Sequence, residues 1–244
     1  MSVLNPSKQY SGSLAVITGA SRGIGAALIR AFAAGGYDIV TYSRNENSLT
    51  SLRDEIVSEF GVSFHFEVRD AAKSVDVQSF GDFVLGLGKP IGVLVNNAGN
   101  FVPGSLLDEP AGAFSSQMAV NLESAYEITR MLAPEMIQAR KGHIFNMCSV
   151  ASIKAYPAGG SYAVSKTALL GFSRNLREEL RQHGVRVTTV MPGATYTESW
   201  ASAGFPEERF IPVEDLAKLI WTCHDLSDRT CVEELLLRPQ LGDI

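Results

Sequence analysis

The sequence predicts an α/β fold in which helices cover both faces of one doubly wound parallel sheet. Short apolar and β-branched runs alternate with amphipathic segments from about Leu14 to Arg238. Parallel strands are joined by crossover helices, so this alternation is typical of a parallel sheet that is buried on both faces. No linker, repeat or low-complexity stretch interrupts it, and 244 residues suit one core. We therefore expect one domain over residues 1–244.

Strands are predicted where a short run of apolar, β-branched or aromatic residues ends at a glycine, an asparagine or a polar turn. In chain order, these runs are 14–18, 37–43, 62–68, 92–95, 143–148, 185–191 and 232–237.

Helices are predicted where apolar residues recur every three or four positions. In chain order, these segments are 23–36, 47–60, 75–87, 114–131, 162–183 and 213–223. Asn47 is a suitable N-cap for the second helix, and Gly61 is a suitable end for it.

The composition excludes some classes of function. A net charge of −5 and a pI near 5.4 argue against nucleic acid as a partner, because phosphate binding needs clustered Lys and Arg. The longest apolar runs are too short for a membrane span. Residues 1–13 contain no basic region followed by an apolar run, and the three cysteines lack metal or disulfide spacing. We expect no membrane contact, no metal and a cytoplasmic location.

A glycine-rich segment joins the first predicted strand to the first predicted helix. It reads Thr18-Gly19-Ala20-Ser21-Arg22-Gly23-Ile24-Gly25. Glycines let the backbone turn tightly and approach a pyrophosphate, which the free N–H groups of a helix N-terminus bind. The spacing Gly-x-x-x-Gly-x-Gly differs from the commoner Gly-x-Gly-x-x-Gly, and a tight turn without a ligand is the alternative.

The end of the second predicted strand indicates which dinucleotide would bind. An NAD site places an acid there for the ribose 2′-hydroxyl, whereas this chain has Ser43 and Arg44. A guanidinium can bind a 2′-phosphate through two parallel hydrogen bonds, and we expect Arg22 to lie close by. The pattern favours NADP(H).

Tyr162 and Lys166 are four residues apart at the start of a predicted helix. Residues at this spacing share one helix face, where a lysine ammonium would lower the pKa of the tyrosine and make it a usable proton donor. Ser149 ends a predicted strand and can point into the same cleft. This set suits protonation of a carbonyl oxygen, although a Tyr-x-x-x-Lys pattern alone can be a surface pair.

Taken together, these motifs resemble the short-chain dehydrogenase/reductase family, whose fold is Rossmann-like. Its glycine motif is similar to 18–25, and its Asn-Asn-Ala-Gly motif is similar to Asn96–Gly99. Its catalytic tetrad is similar to Asn121, Ser149, Tyr162 and Lys166. The resemblance implies that Tyr162 donates the proton, that Lys166 lowers its pKa and binds the nicotinamide ribose, that Ser149 binds the substrate oxygen, and that Asn121 holds a water.

The resemblance also implies the remaining contacts to the cofactor. Pro192-Gly193 with Thr197 is similar to a turn that meets the nicotinamide amide or the pyrophosphate. The full set of predicted cofactor-binding residues is Gly19, Ser21, Arg22, Gly23, Ile24, Gly25, Ser43, Arg44, Glu67, Val68, Asn97, Ala98, Gly99, Tyr162, Lys166, Pro192, Gly193, Thr195 and Thr197.

The chain departs from the family in two places. Glu67-Val68 stands where members usually have an aspartate that contacts the adenine amino group. The C-terminal segments 232–239 and 242–244, together with 196–200, are more similar to bacterial sepiapterin-reductase-like members than to 3-oxoacyl-thioester reductases.

The substrate pocket should lie beyond the carboxyl ends of the strands, with Phe101, Tyr156 and Trp200 as lining residues and residues 193–212 as a lid. The open candidates are the side-chain diketone of a pterin, a 3-oxoacyl thioester, and another ketone or aldehyde. A dinucleotide-sensing protein without turnover is the alternative of another class. By resemblance we also expect a homodimer or homotetramer.

Overall fold

The computed structural model describes residues 10–198 and 204–244. Seven parallel strands form one sheet in the order β3-β2-β1-β4-β5-β6-β7. The strands are β1 (Leu14–Thr18), β2 (Asp38–Ser43), β3 (Phe64–Val68), β4 (Ile91–Asn96), β5 (Gly142–Met147), β6 (Val185–Pro192) and β7 (Glu234–Leu237).

Seven α-helices are present in the described residues: α1 (Gly23–Ala34), α2 (Glu46–Phe60), α3 (Ser74–Gly86), α4 (Ala113–Met118), α5 (Ser124–Ala139), α6 (Gly160–Leu180) and α7 (Val213–His224). Helices α1, α2 and α7 pack on one face of the sheet through Phe32, Ile56 and Ile220. Helices α3, α5 and α6 pack on the other face through Phe80, Leu132 and Leu176. The predicted doubly wound α/β fold is therefore confirmed.

The order of the strands creates a crevice at one edge of the sheet. The chain runs from β1 outward to β3 and then crosses to β4 on the other side of β1. Ligands of open α/β sheets bind at the carboxyl ends of the strands where the order reverses. The loops after β1 and β4 meet at this point.

Some details of the helices differ from the prediction. The N-cap of α2 is Asn45, whose Oδ1 accepts from the N–H of Ser48 at 3.0 Å, and Asn47 already lies inside the helix. The helix predicted over 114–131 is divided, because residues Ala119–Glu123 form a π-helical turn between α4 and α5. Helix α5 continues to Ala139, beyond the predicted end at 131, and α6 ends at Leu180, three residues before the predicted end at 183. The other boundaries lie within about two residues of the predicted ones.

Within residues 10–198 and 204–244, no helix combines the length and the apolar character that a bilayer crossing requires.

Candidate active site

The glycine-rich loop and the Asn-Asn-Ala-Gly segment form one hydrogen-bonded unit. The Thr18 hydroxyl accepts from the N–H of Asn97 at 3.0 Å and of Ala98 at 2.9 Å. The Asn97 amide donates back to the carbonyl of Thr18 at 2.9 Å. Gly19 has a φ of +64°, and a Cβ there would lie 2.8 Å from the Cα of Ala98. Only glycine fits between the two loops.

The first turn of α1 fits an anionic group. Its N-cap, Arg22, forms no side-chain capping bond within the described residues, so the N–H groups of that turn remain available. A Cβ at Gly25 would lie 2.5 Å from the Cα of Ala20, which shows how closely the loop approaches the helix. Gly23, at a φ of +54°, lies against Thr197 of the loop after β6. Ser21 lies in the same loop.

Ser43 and Arg44 lie at the end of β2, beside the glycine-rich loop. Thr18 pairs with Tyr42 in the sheet, which places Ser43 next to that loop. Arg44 is exposed, and no described residue accepts a hydrogen bond from its guanidinium. Arg22 instead forms an ion pair with Glu198. Of the two predicted arginines, only Arg44 keeps its guanidinium unengaged.

Glu67 and Val68 lie on the neighbouring strand, where Val68 pairs with Ser43. The carboxylate of Glu67 lies 3.1 Å from the guanidinium of Arg69. The geometry is that of an ion pair without a hydrogen bond, because Glu67 Oε2 is buried with no hydrogen-bond partner among the described residues. Because this same oxygen already lies beside the Arg69 guanidinium, the contact of Glu67 with an adenine amino group stays a prediction.

Ser149, Tyr162 and Lys166 meet at the carboxyl end of β5. Ser149 caps a short 3-10 turn, and its Oγ accepts from the N–H of Ala151 at 3.1 Å. Lys166 Nζ donates to the carbonyl of Met147 at 2.7 Å and lies 5.8 Å from the centre of the Tyr162 ring. The alternative of a surface pair does not hold, since Lys166 is buried.

The expected effect of Lys166 on Tyr162 is not present in this structure. Burial raises the pKa of Tyr162, and a hydrogen bond with Ser149 opposes the rise. Burial lowers the pKa of Lys166 to about 8. A lysine that is itself desolvated is only partly charged near pH 8, and its Nζ is directed to Met147. Burial therefore raises the pKa of Tyr162 here, and the effect of Lys166 on it stays a prediction.

Asn121 lies in the π-helical turn and is buried. Its Nδ2 donates to the carbonyl of Asn100 at 3.1 Å and to Ser165 Oγ at 2.9 Å, and its Oδ1 accepts from the N–H of Asn100 at 2.8 Å. A Cβ at Gly99 would lie 3.2 Å from Asn121 Oδ1 and 3.3 Å from Lys166 Nζ. The asparagine thus joins the loop after β4 to the helix that carries Tyr162.

Ser149, Tyr162 and Lys166 form part of the wall of one cavity of about 450 Å³. The predicted cofactor residues that also line it are Ile24, Asn97, Gly99, Pro192, Gly193, Thr195 and Thr197.

Two of the three predicted substrate residues line the same cavity. Phe101 packs edge-on against Tyr162 with ring centres 4.9 Å apart. Tyr156 lines the cavity, and its hydroxyl donates to Asp243 at 2.7 Å. Trp200 lies outside the described residues, as does part of the predicted lid.

Sequence reasoning missed three residues that support the site. Glu109 accepts from the N–H of Ser161 at 2.7 Å and from its hydroxyl, and so caps α6 one residue before Tyr162. Ser152 donates to the carbonyl of Lys166 at 2.9 Å. Asp243 lines the cavity and lies 87 positions along the chain from Tyr156. No local pattern marks Glu109 or Asp243, whereas Ser152 lies three residues after Ser149, which is the spacing of the capping box that these two residues form.

The fold and the site define a dinucleotide-binding α/β oxidoreductase. Comparison with known proteins agrees with this class. The family described as short chain dehydrogenase matches residues 13–207. The chain therefore belongs to the short-chain dehydrogenase family, whose members bind a nicotinamide cofactor.

The chain is similar to several characterised proteins. It is 32% identical to a sepiapterin reductase from Chlorobaculum tepidum, over 94% of this chain and 97% of the relative. It is 33% identical to the ketoacyl reductase HetN from Nostoc sp., over 75% of this chain and 63% of the relative. A metagenomic short-chain oxidoreductase solved in complex with NADP is 35% identical, with a TM-score of 0.82 over 95% of this chain and 99% of the other.

Proposed function

We propose that this protein is an NADP(H)-dependent carbonyl reductase that converts a small ketone or aldehyde to the alcohol, and the reverse. The observation that carries the proposal is the meeting of Ser149, Tyr162 and Lys166 on the wall of one cavity, next to a glycine-rich loop at a strand–helix junction. A dinucleotide sensor needs no proton donor at that position.

The side chains divide the work of the reaction. Tyr162 donates its hydroxyl proton to the carbonyl oxygen of the substrate, and Ser149 hydrogen-bonds to the same oxygen. Lys166, with Tyr162, binds the hydroxyls of the nicotinamide ribose, and its positive charge favours the tyrosinate that forms. A reduced nicotinamide held by these residues would supply the hydride to the carbonyl carbon. Asn121, in the π-helical turn, holds a water that returns the proton.

The raised pKa of Tyr162 agrees with a role as an acid. Burial keeps the phenol protonated over the working pH range, so the proton to be donated is present before the reaction. Anionic cofactor near Lys166 would favour its ammonium, which in turn stabilises the tyrosinate left behind. The predicted pKa decrease then belongs to the complex rather than to the chain alone.

The choice of NADP(H) is based on the end of β2. The residue directly after β2 is Arg44 rather than an acid that could bind a ribose 2′-hydroxyl, and its exposed guanidinium has no hydrogen-bond partner among the described residues. The similar metagenomic oxidoreductase was solved with NADP. We propose that adenine would lie near Glu67 and Val68, on the strand that pairs with β2.

The substitution Arg44→Ala tests this choice. We expect the Kd for NADPH to rise about tenfold or more, because a lost hydrogen bond to a charged group costs about 1.5–3 kcal/mol. The Kd for NADH should stay the same. The measurement is a titration of nicotinamide fluorescence, with Arg53→Ala as the control, since Arg53 is engaged by Asp54 on α2. Equal weakening of both cofactors would remove Arg44 as the 2′-phosphate ligand.

The substrate is tested with NADPH and NADH against sepiapterin, an acetoacetyl thioester and a simple diketone. Oxidation of NADPH with at least one of them is expected, read as loss of the absorbance of the reduced nicotinamide. A 3-oxoacyl-thioester reductase is the second candidate, since the HetN relative is named a ketoacyl reductase. Tight NADPH binding without turnover on any carbonyl compound would favour the dinucleotide sensor.

The remaining predictions concern assembly and location. Phe114, Tyr126 and Val164 are large apolar residues that the single chain leaves exposed on α4, α5 and α6. A homodimer or homotetramer would cover them, and light scattering that gives a concentration-independent monomer mass would contradict this assembly.

We also propose that one domain spans 1–244 and that residues 193–212 close over the substrate. The three cysteines are free, and we propose a cytoplasmic location.

A further inference from the structure

We propose that residues 238–244 form a fixed wall of the substrate pocket, held by the carboxylate of Asp243, and that this wall restricts the enzyme to small, compact carbonyl substrates. We call the contacts among Lys154, Tyr156, Arg238 and Asp243 the Asp243 latch. The inference rests on the proposed carbonyl reductase function, whose substrate class it narrows.

The latch is a dense set of polar contacts. Asp243 Oδ2 accepts from the Tyr156 hydroxyl at 2.7 Å and from Lys154 Nζ at 2.9 Å. Asp243 Oδ1 accepts from the guanidinium of Arg238. Arg238 also donates to the Tyr156 hydroxyl at 3.2 Å, which closes a ring of contacts. Each carboxylate oxygen therefore has at least one charged donor.

The latch joins two parts of the chain that shape the pocket. Tyr156 lies in the loop between Ser149 and Tyr162, so any shift of this loop alters the space beside the catalytic groups. Arg238 directly follows β7, the edge strand of the sheet. Tyr156, Asp243 and Ile244 all line the cavity that holds Tyr162.

Backbone contacts at the end of β7 fix the other side of this wall. The N–H of Gly193 donates to the carbonyl of Leu237 at 2.8 Å. A Cβ at Gly193 would lie 3.1 Å from Pro239 Cδ, so the segment packs closely against the loop after β6. Residues 238–244 are thus anchored both to this loop and to the loop that carries Tyr156.

The carboxyl group of Asp243 stays ionised at neutral pH. Hydrogen bonds from Tyr156 and from Lys154 hold the pKa of this carboxyl well below its usual range. The latch is therefore closed throughout the neutral pH range and acts as a wall rather than as a pH-dependent gate. Its three donors also engage the carboxylate, which leaves little capacity to bind a substrate.

A closed wall limits what enters a cavity of about 450 Å³ that must hold the nicotinamide end of the cofactor as well as the substrate. The space left for the substrate is smaller than this volume, which favours a compact ketone. A substrate with a long chain or a large ring system has to displace residues 238–244 or the Tyr156 loop, and each displacement breaks charged contacts of the latch.

The experiment compares small and bulky carbonyl substrates with the whole protein. For Asp243→Ala and for the milder Tyr156→Phe, we measure kcat/KM with a simple diketone and with a bulky aryl ketone at saturating NADPH. The kcat/KM for the bulky ketone, divided by the kcat/KM for the diketone, should rise about tenfold in Asp243→Ala and by a smaller factor in Tyr156→Phe. The control is Arg174→Ala, which removes a surface ion pair to Glu234 on β7 and should leave the ratio unchanged.

An unchanged ratio in Asp243→Ala would overturn the proposal. A loss of turnover with the small diketone alone, at unchanged NADPH affinity, would also overturn it, because Asp243 would then contact the substrate.

A second measurement does not depend on activity. Amide hydrogen exchange should become faster at 156–159 and 238–244 in Asp243→Ala but not in Arg174→Ala. If the wild type reduces no carbonyl compound, the proposed function fails, and hydrogen exchange still decides whether the latch exists. Unchanged exchange in both segments would overturn the latch itself.

Discussion

Two buried clusters of titratable side chains lie at opposite ends of the same sheet, and they contain similar residues. At the carboxyl ends of the strands, Tyr162 and Lys166 face a cavity of about 450 Å³. At the amino ends, Tyr37 lies beside His143 and His224, with a cavity of only about 120 Å³ next to Tyr37 and His224. Both clusters place a tyrosine near a basic group.

The cluster at the amino ends is a closed chain of hydrogen bonds. Thr188 donates to the carbonyl of Val232 at 2.6 Å, so its oxygen must accept from His143 Nε2 at 2.8 Å. His143 Nδ1 then accepts from His224 Nδ1 at 3.4 Å, and His224 Nε2 accepts from the Tyr37 hydroxyl at 2.8 Å. Each donor has an acceptor inside the protein, and both histidines are neutral.

A buried tyrosine beside a base is therefore not sufficient for a reactive site. The hydroxyl of Tyr37 is committed to His224 in a satisfied chain, which stabilises the packing of α7 on the sheet. Tyr162 instead lies on the wall of a cavity large enough for a ligand. Chemistry is expected only where the polar groups face an opening.

The largest effect expected from this comparison concerns the two tyrosines. Tyr162→Phe should lower kcat by about 10²–10⁴-fold, because the proton donor is lost, with little change in NADPH affinity or Tm. Tyr37→Phe should leave kcat unchanged and lower the free energy of unfolding by about 1–3 kcal/mol, because His224 Nε2 loses its donor. Steady-state kinetics and urea unfolding measure both. Retained turnover in Tyr162→Phe would exclude Tyr162 as the proton donor.

The next effect is a loss of stability in acid. Burial and the nearby Arg186 lower the pKa of His224 to about 3, and burial, Arg186 and His224 lower the pKa of His143 well below its usual range. Lys141 acts on His224 in the same direction. Because the unfolded chain binds protons near pH 6.5, stability is complete above that pH and falls as the pH decreases toward the folded values.

For His224 alone, the loss between pH 8 and pH 5 is about 2 kcal/mol, and His143 adds to it. The measurement is urea unfolding at the two pH values, with His224→Phe as the comparison. This variant should lose less stability in acid than the wild type. An equal acid loss in both proteins would show that His224 is not the group responsible.

A smaller effect is expected from the capping of α6 by Glu109, at the catalytic end of the sheet. Glu109 caps α6 through Ser161, directly before Tyr162, so Glu109→Ala should cost about 1 kcal/mol of stability and lower kcat several-fold at nearly constant KM. Glu109→Gln keeps an acceptor and should restore part of kcat. The exposed neighbour Asp108 provides the control, as Asp108→Ala should change neither. A changed KM with constant kcat would contradict a positioning role.

The sequence was sufficient for the parts of the fold that depend on local patterns. The strands follow from short apolar runs, and β1 was predicted at the residues observed, because all five of its side chains are buried. The glycine-rich loop could also be located, since Gly19 and Gly25 mark places where a side chain would collide with Ala98 and Ala20.

Features that depend on distant contacts were not predicted. The π-helical turn around Asn121 keeps the apolar spacing of an α-helix, and the capping of α6 by Glu109 joins residues 52 positions apart. The pKa of Tyr162 was expected to fall because the spacing to Lys166 was visible, whereas the burial of both side chains was not. The local sequence shows which residues share a helix face, but it does not show how far the fold removes their side chains from water.

The most direct test of the central claim follows a labelled hydride. NADPH deuterated at the transferred position of the nicotinamide is mixed with the protein and a carbonyl substrate that it turns over, and the alcohol is analysed by mass spectrometry. We expect one deuterium on the former carbonyl carbon of the alcohol. We expect no product from Tyr162→Phe in the same time. Product without deuterium, or equal product from the variant, would contradict hydride transfer assisted by Tyr162.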